Sequence, residues 1–174
     1  GFEALKDANP SYNNVAVGCK TLHHTTTGNN NVAVGSQALE NNTTGQLNVA
    51  IGYGALQASI GADDNTAVGH NAMQNSTTST RCVAVGRYAM QYATTAANDN
   101  TSVGYQSLNA ITTGINNTAV GKDALLSNTT GINNVAVGEL ALDANTTAQN
   151  STAIGRAALS SSTGSDNTAV GSGA

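Results

Sequence analysis

Short runs of β-branched, small and β-branched residues recur along the chain, each closed by a glycine. Val32-Ala33-Val34, Val49-Ala50-Ile51, Thr66-Ala67-Val68 and Val83-Ala84-Val85 end at Gly35, Gly52, Gly69 and Gly86, with 17 residues from each glycine to the next. Alternation with period two over such residues predicts a short strand. The register continues at Gly104, Gly121, Gly138, Gly155 and Gly171, with one interval of 18 and a last one of 16.

The other columns of the repeat are as regular. Asn stands four residues before most of the glycines, as at Asn14, Asn31, Asn48 and Asn65, with Cys82 and Ser151 as departures. Stacked amides can hydrogen-bond along a column, so this one reads as an asparagine ladder. After each glycine come two variable positions, then usually Ala, then Leu or Met, as at Ala38-Leu39 and Ala72-Met73. Leu or Met at a fixed position marks burial, whereas the variety before it (Tyr53, His70, Arg87, Lys122) marks a solvent-facing turn. Thr-Thr-Gly or a small substitute then suits a tight reversal. Each repeat is expected to be strand, turn, second short strand, turn. The recurring Gly and Thr-Thr argue against a helix.

Seventeen residues with two short strands cannot fold alone, but stacked units can pair strand on strand at about 4.8 Å per coil. The expected fold is all-β, a repetitive parallel β-solenoid (β-roll) with 17-residue coils. Residues 1–174 form one repeat domain of about ten coils, roughly 48 Å long. The chain opens on a repeat glycine and closes in phase at Ala174, without atypical capping units, so a segment of a longer fibre is expected. One Val or Ile and one Leu or Met per coil is little apolar burial against the entropy of ordering 17 residues. Further burial between chains is therefore expected. The Val/Ile columns are assigned to the core and the Ala column to the opposite face, where small side chains admit another backbone; Ala119 is placed at that contact and Lys122 in solvent.

Composition removes several function classes. With one Phe and no Trp there is no aromatic-rich core. Six Lys plus Arg and a net charge of −4 leave no cationic cluster for a phosphate backbone, so no nucleic-acid partner is expected. No apolar run approaches the roughly 20 residues that cross a bilayer, and no membrane insertion is expected.

The stretches "NNVAVGSQALENNTTGQ" (30–46) and "NNTAVGKDALLSNTTGI" (116–132) resemble the head repeats of trimeric autotransporter adhesins, the YadA-like β-roll with its N-S-V-A-I-G motif. They are more similar to the N-T-A-V-G-x-x-A-L-x-x-N-T-T-G repeats of phage tail-fibre and related surface-fibre proteins. The resemblance spans the whole chain. It implies a homotrimer and a structural role, a virion fibre segment that extends and presents a host-binding tip, with any host receptor met through other regions. The 17-residue length favours the phage fibre over the bacterial cell-surface adhesin head.

Candidate chemistry is sparse. His23 and His24 are adjacent, and in an extended second strand they would point to opposite faces, so no metal site is expected there. Asp63, Asp64 and Asp99 precede first strands and could meet calcium, but Asn, Gln or Ala in neighbouring coils favours turn chemistry. Cys19 and Cys82 lie in different columns, about 19 Å apart along the stack, too far for a disulfide. No Ser-His-Asp order, phosphate loop or repeated acid pair occurs; no enzyme activity, catalytic residue or cofactor is expected. Regular threonines suggest ice binding as a further alternative, but Thr43 and Thr44 are adjacent, and ice-binding arrays place Thr-x-Thr on one face.

Overall fold

The computed structural model describes residues 1–8 and 10–174. The first five strands are β1 (Val15–Val17), β2 (Val32–Val34), β3 (Val49–Ile51), β4 (Thr66–Val68) and β5 (Val83–Val85). They are followed by β6 (Thr101–Val103), β7 (Thr118–Val120), β8 (Val135–Val137), β9 (Thr152–Ile154) and β10 (Thr168–Val170). All ten lie in one parallel sheet in chain order. Pairing is in register, with Val32, Ala33 and Val34 opposite Val49, Ala50 and Ile51. Each repeat thus makes one circuit and returns beside itself, which is a parallel β-solenoid of 17-residue coils.

The two faces of the sheet are opposite to the sequence expectation. The Ala column points inward: Ala33, Ala50, Ala67, Ala84, Ala119, Ala136 and Ala153 are fully buried. Val and Ile flank it on the outside, half-buried or exposed, so Ala119 belongs to the chain's own core and not to a contact between chains. The reason is width. Inside the coil the sheet packs directly on the column Leu22, Leu39, Leu56, Met73, Met90, Leu108, Leu125 and Leu142 and on the Ala that precedes six of these eight, leaving room for a methyl group. The period-two pattern contained the clue, because Ala shares its face with the Asn two residues earlier.

That Asn column is buried and forms the expected ladder. Asn65 Nδ2 donates to Asn48 Oδ1 at 3.1 Å and to the Ser79 carbonyl at 2.9 Å. The Asn65 backbone N–H reaches the same Asn48 oxygen at 3.0 Å. Asn31, Asn48, Asn65, Asn117 and Asn134 each place both side-chain hydrogens and the oxygen in bonds inside the coil. Cys82 and Ser151 keep the donor part of this role: Cys82 Sγ reaches the Ala97 carbonyl at 2.9 Å.

The second segment of the repeat is not a strand. Lys20, Gln37, Asn71 and Asp123, two residues past their glycines, have φ of 53°, 62°, 55° and 57°. Leu22, Leu39, Leu56 and Leu125, two further on, all have φ of 51°. Recurring positive φ curls the chain out of the extended region. The backbone still pairs between coils: Leu39 N–H donates to the Ala55 carbonyl and Leu56 N–H to the Ala72 carbonyl, both at 3.0 Å. Coil-to-coil bonding here is a ladder of turns.

Length changes are absorbed where no strand is disturbed. In the 18-residue coil β5 and β6 still pair Val83 with Thr101, and the extra residue falls in the 94–96 turn, where Ala96 has φ of 52°.

Candidate functional site

No pocket opens among the described residues, so the surfaces available for binding are faces of the rod. The largest regular one is the outer side of the sheet. Its two columns pair Val or Thr with Val or Ile in every strand; Ile51 is 40% exposed, and Val120 and Val137 are each 36% exposed. Nine strand spacings of about 4.8 Å and three residues of about 3.3 Å give an apolar strip on the order of 400 Å². Patches of about 300–600 Å² are the largest that typical soluble monomers expose and are often functional.

A second surface is a row of rings. Tyr53 stacks on His70 with centroids 5.3 Å apart, His70 meets Tyr88 edge-on at 5.6 Å, and Tyr88 meets Tyr105 at 6.3 Å. The Arg87 guanidinium lies 4.6 Å from the Tyr88 centroid. The first variable position after each glycine is exposed or half-buried, as expected, but the second is half-buried or buried in every coil before the last, as at Gly54 and Asp123, and the coil rise brings the rings of this face into contact.

The two adjacent histidines depart from the sequence expectation. Both lie in the turn ladder and not in an extended strand, so they do not point to opposite faces. Their rings lie 4.2 Å apart, and a ligating atom from each falls within 4.8 Å of a carboxylate oxygen of Asp7. Asp7 stands 17 residues before His24, in the same column of the preceding coil, a neighbour that stacking alone supplies.

Other acidic residues are engaged in the turns. Asp63 Oδ1 accepts the Gln46 N–H at 2.7 Å, as Asn29 and Asn98 do for Tyr12 and Thr80. Asp99 takes two bonds from Arg81, at 2.7 and 2.9 Å, which hold its carboxyl below the usual carboxylate range. Asp64 is exposed in the same turn as Asp63. Cys19 is exposed and Cys82 buried, both as free thiols.

One column of threonine hydroxyls is also committed. Thr26, Thr43, Thr112 and Thr129 donate to carbonyls of the next coil at 3.0, 3.0, 3.1 and 3.0 Å, and Thr77 does the same to Thr94. Their role is to close the turn column.

Compared with family models, curated proteins and solved structures, the chain matches none.

Proposed function

We propose that this chain is a structural segment of a homotrimeric surface fibre, a virion tail fibre that extends and presents a host-binding tip. The observation that carries the reading is the exposed Val/Ile/Thr face of the ten-stranded sheet, which runs without interruption from Val15 to Val170. A rod whose one apolar strip follows its axis is suited to lie against copies of itself with the axes aligned. The contact then repeats with every coil and grows with length, as a fibre requires. The Ala column takes no part in it. Resemblance to surface-fibre repeats supplies the threefold order, and the 17-residue coil ranks the virion fibre ahead of a bacterial adhesin head.

Light scattering tests this directly. Three times the 17.4 kDa chain mass is expected for the unaltered protein, and the Val120→Lys/Val137→Lys double variant should run as a folded monomer. These two side chains are register partners on the outer face, so two lysines there would oppose close apposition of a second sheet. An unaltered protein that stays monomeric at tens of micromolar, or shows thermal hysteresis in ice, would overturn the proposal.

A further inference from the structure

We propose that Asp7, His23 and His24 form a binding site for a borderline divalent transition-metal ion of the Zn²⁺ type. Three observations support it independently of any fibre role. The donors converge: His24 Nδ1 lies 2.9 Å from Asp7 Oδ2, and the three ligand atoms lie within 4.8 Å of one another. Tetrahedral ligands at about 2.0–2.1 Å from an ion stand about 3.3–3.4 Å apart, so rotation of the exposed Asp7 and His24 side chains toward His23 brings this set to bonding distance.

His23 is the second observation. It is buried, 9% exposed, yet neither ring nitrogen has a hydrogen-bond partner among the described residues. Buried polar atoms are nearly always paired, and an unpaired imidazole beside a second imidazole and a carboxylate is a free donor at an assembled site. Glu3 Oε2 stands 3.8 Å from His23 Nε2, beyond hydrogen-bond distance, and the other oxygen of that carboxylate, Oε1, is held by Lys6 at 3.0 Å.

The third is the scaffold. Asp7 N–H donates to the His23 carbonyl at 3.1 Å, and His24 N–H to the Glu40 carbonyl at 3.0 Å, so coil pairing fixes the spacing of the three residues. Asp7 and His24 are exposed, which provides a path for the ion. Two imidazoles and one carboxylate leave a fourth position for water, a donor set that suits zinc better than calcium. Later coils carry Asn41, Ala58, Asn75 and Tyr92 in the column of Asp7 and His24, so one ion per chain is implied.

Calorimetric titration with ZnCl₂ tests the site, in a Cys19→Ser background that removes the exposed thiol. One ion per chain is expected, with affinity lowered at least about tenfold by His23→Ala, His24→Ala or Asp7→Asn and unchanged by His70→Ala. Ring resonances of the unsubstituted protein supply a readout that needs no variant: zinc should shift His23 and His24 and leave His70 in place. Absence of zinc binding in the Cys19→Ser protein, or binding indifferent to both His23→Ala and His24→Ala, would overturn the assignment. So would zinc that leaves the His23 and His24 resonances unmoved.

Discussion

Asn31 Oδ1 accepts two hydrogen bonds from Asn48, one from its backbone N–H at 3.0 Å and one from its Nδ2 at 3.2 Å. The same unit joins Asn14 to Asn31 and Asn117 to Asn134. An amide does this because it offers an acceptor toward one coil while donating to the other; a thiol lacks the strong acceptor.

The ladder is therefore incomplete at Cys82, whose sulfur offers Asn100 no equivalent of the Asn Oδ1. Cys82→Asn should restore both bonds and stabilise the protein by about 1 kcal/mol. Thermal denaturation should show a rise of about 2–4 °C. A fall would mean that the 18-residue coil places this side chain differently from its neighbours.

The Cys82 thiol is pushed up to about 11 from 9.0, chiefly by burial. Its raised folded value means that the protonated thiol favours the native state fully below about pH 9. That contribution declines as pH rises through about 11. Melting temperature should fall across this window in the unaltered protein and fall less in Cys82→Asn. Iodoacetamide at pH 7.5 should label Cys19 and leave Cys82 unmodified until the chain unfolds.

The glycine closing each strand but the last is required twice over. Gly69 has φ of 139°, and a Cβ there would stand 2.5 Å from the Gly86 carbonyl oxygen. Gly69→Ala should cost about 3 kcal/mol or more. Gly54 differs: its φ is 63°, Asn71 holds the same column position at 55°, and a Cβ would meet only the movable Asn71 Oδ1. Gly54→Asn should change stability by less than about 0.5 kcal/mol. Chemical denaturation of the two variants checks the contrast.

Ala119 and Val120 are neighbours with opposite environments. Ala119→Glu would put a carboxylate into the coil interior and should unfold the chain, a loss of about 4 kcal/mol or more. Lys122 contacts Asp123 and Glu139 at the surface, at 3.2 and 3.4 Å. Lys122→Glu should cost less than about 1 kcal/mol. Circular dichroism separates the outcomes: an Ala119→Glu protein with native strand signal would contradict an inward Ala column.

Period, strand position, the Asn ladder and the Leu/Met core column follow from the one-dimensional pattern. A solenoid maps each residue onto its neighbour 17 positions away, so column identity survives folding unchanged. Thr66-Ala67-Val68 also declares that Ala67 faces away from its flanks. Period two cannot say which side is inside, and the distance across the coil settled that by admitting only a methyl group opposite Met73 and its neighbours. The φ of 51° at Leu39 and Leu56 was likewise invisible, because leucine seldom adopts it and here the closure of a narrow coil imposes it. Because of that curl His23 and His24 do not point apart, and Asp7 joins them only when one coil is laid on the next. Contacts across the stack depend on register and turn geometry together, and the chain order of Asp7, His23 and His24 carries the register alone.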